Sequence, residues 1–363
     1  MTGETNDYVI EQFTLKKKHF KELSELITKA FLKDEAAQKE GASIVFTEET
    51  FNIMFGPPSI NKQLFVRAKY KPTKEIVGFI GMIPRRLSVE DKEYDFCTPA
   101  WLAVHPEHQK QGLAKALGNK LMEIAIKAGY DGAFALHETE QHGKDVSKAI
   151  ARDNRITLKR LVSINQFVIR VFDTAQLTKV VKIRWYENLF FRLKEKIGSV
   201  NNAQIRLFEK EDLPQIIRLM EELVQKCQIA LVHDKKDIKW LLQNPQALCV
   251  VHEDENQKVD GFIFAWEFLL AGFGNKIPFG WLDIIHTDKL SNKEAKELAN
   301  FLCKNAQERG WQGLQTPYIP YFLAKPFKKA NFIFFPKKMT LDVFEYKEVP
   351  FPKEVESFYF NWR

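Results

Sequence analysis

The residues whose types and spacing could do chemistry concentrate between Cys97 and Met122, in CTPAWLAVHPEHQKQGLAKALGNKLM. An apolar run, Trp101-Leu102-Ala103-Val104, stops at His105-Pro106, and a polar loop from Glu107 to Gln111 leads to Gly112. Leu113, Ala114, Leu117, Leu121 and Met122 then recur at helical spacing, so the segment reads as strand, loop, glycine, helix. That order suits an anion. The first turn of a helix holds amides with no intrahelical partner, and its dipole favours negative charge. Gly112 removes a side chain where a phosphate would approach the backbone, Ala114 is nearly as small, and Lys110 and Lys115 add positive charge. A second candidate group, His137-Glu138, ends the short apolar run that begins at Ala133. An imidazole near its ordinary pKa of about 6.5 can take a proton from an amine, directly or through water. Glu267 and Asp283 stand in reserve as bases, and Cys97 reads as a buried strand thiol rather than a nucleophile.

The elements that must position these groups follow from pattern. Tyr8 to Phe13 reads as a strand and Leu15 to Phe31 as a helix with Phe20, Leu23, Ile27, Ala30 and Phe31 on one face. Thr47 caps a short helix that Gly56-Pro57-Pro58 ends. Leu64 to Tyr70 and Ile76 to Val89 read as paired strands, joined by the turn Lys71-Pro72-Thr73-Lys74 and followed by the central strand. Gly129 to Gly132 closes the central helix, Ala133 to His137 is the next strand, and Ile156 to Phe172 is expected to supply a further strand pair.

Gln109 to Ala114 fits Gln/Arg-x-x-Gly-x-Gly/Ala, and with the strand exit before it and the helix after it the segment resembles the GNAT superfamily of CoA-dependent acyltransferases. The resemblance implies an α/β fold with a mixed sheet. It also implies loop amides at Gln109, Lys110, Gln111, Gly112, Leu113 and Ala114 that hold the CoA pyrophosphate, and a bulged strand whose amides, with those of Leu102 and Val104, receive the acyl thioester. From Ile205 the order of elements repeats, with Asp260-Gly261-Phe262-Ile263 echoing Val77-Gly78-Phe79-Ile80. The expected layout is therefore two tandem GNAT-like domains, residues 1–175 and 201–363, joined by a helix within 176–200. The second is degenerate, because HTDKLSNK after Ile285 has no glycine for a pyrophosphate to approach.

This tandem layout is similar to that of N-myristoyltransferases, through IVGFIGMIP, PAWLAVH, VDGFIFAW and WQGLQTPYIPYFLAKPFKKANF. Carried over by that likeness, the amides of Trp101 and Leu102 form the oxyanion hole. Two departures stand beside it: Gly112 replaces a basic residue of those enzymes, and VPFPKEVESFYFNWR is a different tail, which weighs against the carboxylate of Arg363 as base. The expected activity is N-acyl transfer from acyl-CoA, most simply acetyl-CoA, to an amine by direct attack in a ternary complex, with His137 and Glu138 as acid–base groups and no metal. The acceptor is a small amine, an amino acid or a peptide; a long-chain donor and a non-catalytic acyl-CoA sensor are the alternatives.

Composition narrows the field. A hydrophobic fraction of 45% over 363 residues supports two buried cores and excludes wholesale disorder. Four scattered cysteines form neither a metal pattern nor a disulfide framework. No apolar run is long enough to span a bilayer and Met1 to Asp7 lacks a signal-peptide pattern, so a cytoplasmic monomer or homodimer is expected. The net charge of +7 divides as +3 over residues 1–175, +4 over 176–200 and zero over 201–363, which argues against a nucleic-acid surface. In the basic connector, Ile183, Tyr186, Phe190, Leu193 and Ile197 share a helical face, expected to pack across both domains; lying on an anionic membrane is the alternative.

Overall fold

The computed structural model describes residues 7–138 and 143–361. It divides the chain into two compact units: Met1–Glu35, Val45–Ile164 and Lys338–Val355 form one, and Ala36–Ile44, Asn165–Lys337 and Glu356–Arg363 form the other.

The sheet of the first unit runs Tyr8–Phe13, Phe65–Tyr70, Ile76–Val89, Lys92–Val104, Gly132–Glu138 and then the end of Ile333–Glu345. All neighbours are antiparallel except Lys92–Val104 against Gly132–Glu138. Period-two alternation gives this sheet two different faces. Val66, Ala68, Val77, Ile80 and Met82 pack against the helix Leu113–Lys127. Phe13, Phe65 and Phe79 share an aromatic cluster with Phe51 and Phe55, from the helix Glu48–Phe55. That helix begins where the sequence places it, with the Thr47 hydroxyl accepting the Thr50 amide at 3.1 Å.

The helix Gly143–Asn154 follows Gly132–Glu138 and packs on Leu113–Lys127. A Cβ at Gly118 would stand 2.2 Å from Ile150 Cδ1, so the close approach of the two helices depends on glycine there. This second helix has no counterpart in the sequence reading, because its polar stretch buries only Ile150 and Ala151. Thr157–Val171, expected as a strand pair, is one continuous strand. No glycine or proline breaks the run between Ile156 and Phe172.

The strands of the second unit include, in hydrogen-bonded order, Gly313–Pro317, Asn275–His286, Val259–Gly272, Ala247–Glu253 and Ile205–Leu207. The helices Leu213–Lys226 and Asn292–Glu308 belong to it. Its core gathers Leu298, Leu302, Trp311, Leu314, Phe322 and Phe327. The connector forms the helix Trp185–Lys194, none of whose residues is buried. Of the expected stripe, Tyr186, Phe190 and Leu193 are exposed, Leu193 to 72%, whereas Ile183 and Ile197 are half-buried outside the helix and Ile197 packs against the second unit's core.

Candidate active site

Within the first unit the central strand carries a bulge. Gly81 pairs with Ala100 and Phe79 with Ala103, which leaves Trp101 and Leu102 together opposite Ile80. Such an insertion interrupts the ladder and re-aims backbone groups. Trp101 has φ of +61°, a left-handed conformation that an indole side chain tolerates only when its surroundings hold it. The ring is held edge-on against Phe46, centroids 4.4 Å apart, and also touches Phe31.

Beyond the strand, Pro106–His108 is a single 3-10 turn and Lys110 and Gly112 both adopt positive φ, +63° and +77°. The Gln109 side-chain amide donates to the Val104 carbonyl at 3.3 Å and ties the loop to the strand end. Gly112 is the N-cap of Leu113–Lys127, no side chain caps the helix, and its first turn holds no acidic residue. A Cβ at Gly112 would meet nothing within 4 Å, so glycine serves the backbone angle here and the space above it is open. These are features of an anion-binding helix start. Lys115, expected to add positive charge, pairs with Asp153 at 2.7 Å.

The central strand and Gly132–Glu138 run parallel and pair at Phe96↔Gly132 and Cys97↔Ala133. Further along, a cavity of about 180 Å³ is lined from both strands, by Pro99 and Leu102 on one side and Ala135 and His137 on the other. Met122 and Ile150 close it with apolar surface from the two helices. Leu102 and His137, nominated separately by the sequence, therefore meet in one space. Glu138 is not among its lining residues.

His137 is buried, and both its ring nitrogens are engaged. Nδ1 lies 3.0 Å from Asp342 Oδ2 and Nε2 lies 2.8 Å from Ser147 Oγ. A carboxylate oxygen accepts, so Nδ1–H donates to Asp342. That tautomer, assigned from the network, leaves the Nε2 lone pair to accept the Ser147 hydroxyl. Thr340 Oγ1 donates a further bond to Asp342 Oδ2 at 3.3 Å. Burial holds the imidazole below its ordinary value although Asp342 pulls the other way, so the ring is neutral near pH 7. Neither partner was legible in the sequence. Asp342 comes from a strand 205 residues away, through the register Thr340↔His137 and Asp342↔Ala135, and Ser147 rides on the overlooked helix.

The other nominated groups fall elsewhere. Cys97 is fully buried and its thiol is pushed up to about 12 by burial, which suits a core residue. Glu267 and Asp283 lie in the second unit, where Glu267 accepts the indole N–H of Trp311 at 2.6 Å. Arg363 lies outside the described residues, and among those described no group of three or more His, Cys, Asp and Glu side chains is placed to hold a metal.

Residues 5–134 match the family Myristoyl-CoA:protein N-myristoyltransferase, N-terminal domain. The structure of Saccharomyces cerevisiae N-myristoyltransferase with bound myristoyl-CoA superposes with a TM-score of 0.74 at 16% identity, covering 95% of this chain and 80% of that one. The chain has the N-myristoyltransferase fold. Its mixed α/β architecture and tandem layout are those of that GNAT-type acyltransferase. In sequence, a putative glycylpeptide N-tetradecanoyltransferase 2 of Arabidopsis thaliana is 21% identical over 217 residues, 58% of this chain and 46% of that protein. The glycylpeptide N-tetradecanoyltransferase of Plasmodium falciparum is 21% identical over 221 residues, 60% and 50% respectively. The chain thus spans about half the length of the curated relatives it matches. Within the N-myristoyltransferase fold, the matched segment includes the bulge, the Gly112 loop and the central helix.

Proposed function

We propose that this protein is an acyl-CoA-dependent N-acyltransferase that moves a long acyl chain onto the N-terminal amine of a peptide, by direct attack in a ternary complex. The observation that carries the reading is the conjunction of the bulge at Trp101–Leu102, the uncapped helix start at Gly112 and the apolar cavity between the diverging strands. The names of the relatives favour a tetradecanoyl donor and a glycyl acceptor over the acetyl donor expected from the sequence alone.

In this reading the amides from Gln111 to Ala114 hold the pyrophosphate of CoA. The arm of the donor enters between the two strands, and its acyl chain meets Met122 and Ile150. The amides of Trp101 and Leu102 stabilise the carbonyl oxygen as it gains charge; one such donor is commonly worth about 3 kcal/mol of barrier. His137 Nε2 takes the proton of the attacking amine, with the Ser147 hydroxyl as the connecting group and Asp342 fixing the tautomer. The amine nitrogen bonds to the carbonyl carbon, the carbon–sulfur bond breaks, and the pair stays with the CoA sulfur, which leaves as the thiol once protonated.

The test is release of free CoA from a chain-length series of acyl-CoA donors, with peptides that begin in glycine or alanine. Turnover that rises with donor length and needs a free N-terminal glycine is the expected result. Turnover with acetyl-CoA alone would return the reading to a small-donor acetyltransferase, and CoA binding without turnover would favour the sensor.

The Ser147–His137–Asp342 chain supports one second reading, in which Ser147 Oγ itself accepts the acyl group before the amine does. Incubation with donor and no amine separates the two. An acyl-mass increment on the peptide containing Ser147 supports the covalent route, and its absence under turnover conditions supports direct attack.

A further inference from the structure

The connector helix Trp185–Lys194 is inside out. Its outward positions are Trp185, Tyr186, Leu189, Phe190 and Leu193, spaced three and four apart and 79%, 46%, 54%, 46% and 72% exposed. Among the described residues, half of the exposed large apolar side chains thus sit on these ten residues, where scattered single ones would be ordinary.

The polar groups of the segment do the anchoring instead. The fully buried Arg170 donates to the carbonyls of Lys194, Glu195 and Lys196, at 2.6, 2.9 and 3.1 Å, and so satisfies the helix end. Glu195 accepts the Thr174 amide at 2.7 Å and Glu187 accepts the Arg184 amide at 2.7 Å. The only two carboxylates between residues 176 and 200 are thereby held by backbone amides. Six cations remain in the same stretch, and Lys182, Arg184, Arg192 and Lys196 are exposed around the apolar stripe.

From this arrangement we infer that the helix is a docking face for an anionic lipid surface. Aromatic and aliphatic side chains would enter the headgroup boundary while the flanking cations meet acidic headgroups. Charge decides between this occupant and a second copy of the chain, because a two-fold contact would set this cation-flanked face against an identical one. At ten residues the helix is too short to cross a bilayer, so the contact is peripheral. The inference stands apart from the acyl-transfer reading; were both true, a membrane-dissolved acyl chain and its enzyme would share one surface.

The experiment is co-sedimentation of the full chain with vesicles of phosphatidylcholine alone and of phosphatidylcholine with phosphatidylserine. Binding is expected only to the acidic vesicles and should weaken as salt rises. Leu189→Glu with Leu193→Glu should reduce it roughly tenfold or more, and Arg192→Gln or Lys196→Gln about fivefold each. All four side chains point away from any core, and an unchanged melting temperature would verify folding. Failure to bind acidic vesicles at low salt, or equal binding by the double variant, overturns the inference. So does self-association by sedimentation velocity that the double variant abolishes. CoA release measured in parallel without vesicles keeps this outcome distinct from that of the acyl-transfer reading.

Discussion

The two units each place a central strand before a long helix, and they finish that junction in opposite ways. In the first, the helix Leu113–Lys127 begins at a left-handed glycine with no side-chain cap and no acidic residue in its first turn. In the second, Asn292–Glu308 begins with a reciprocal capping box, in which Ser291 Oγ accepts the Glu294 amide at 3.3 Å and Glu294 accepts the Ser291 amide at 2.7 Å. One junction has no side-chain cap; the other has a reciprocal one and a first-turn carboxylate, which would repel an anion. The bulges differ as well. Both central strands carry an extra residue, Asp283 in the second, but only Trp101 takes positive φ. The comparison teaches that a repeated architecture can keep its strand and helix order while its helix N-termini are finished with opposite cap chemistry.

The sharpest way to break this contrast is to change the charge at each junction. Gly112→Glu should abolish measurable CoA binding by calorimetry, since a carboxylate would stand where the pyrophosphate is proposed to lie. Ser291→Glu should leave CoA affinity unchanged. Loss of affinity in both, or in neither, would dissolve the distinction.

The next largest effect concerns the proposed base. His137→Ala should lower kcat by about 10² to 10⁴ with donor affinity kept, and Glu138→Ala, whose side chain is outside the cavity lining, should do much less. Asp342→Asn should lower kcat with little change in donor KM, because the tautomer is no longer enforced. Because burial depresses the His137 pKa, the acid limb of the kcat profile should fall below 6.5 and disappear in His137→Ala. Equal activity of all three variants would move the base elsewhere.

Smaller effects belong to stability. Ser291→Ala should cost about 1 kcal/mol by denaturant titration and change no binding constant. His137 itself contributes a pH slope. Its folded pKa lies below the unfolded value of about 6.5, so its stabilising contribution is present above that value and is lost as pH falls through the folded one. His137→Ala should flatten that part of the curve; an unchanged slope would show that the imidazole is not held neutral.

Much of the first unit was legible because its information is local. The Thr47 cap, the alternation of Phe65 to Tyr70 and the helical recurrence from Leu113 each lie within a few residues. So did the Gly112 junction, where chemistry and backbone need coincide. The helix Gly143–Asn154 escaped notice because its buried face is only Ile150 and Ala151. The connector shows the converse error. Tyr186, Phe190 and Leu193 of its stripe do share a helical face, while Ile183 and Ile197 lie outside the helix, and periodicity cannot say whether an apolar face turns inward.

What the sequence determined by itself was the strand–glycine–helix junction at Gly112, the tandem α/β layout and the missing glycine after Ile285, since each depends on neighbours along the chain. What only tertiary structure decided was the company of His137. A strand register brings Asp342 across 205 residues and a packed helix brings Ser147, and pairing at that separation leaves no local pattern to read. The outward exposure of Trp185 and Leu193 is likewise a tertiary outcome, in a helix whose end is tied to the strand Thr157–Val171 by the buried Arg170.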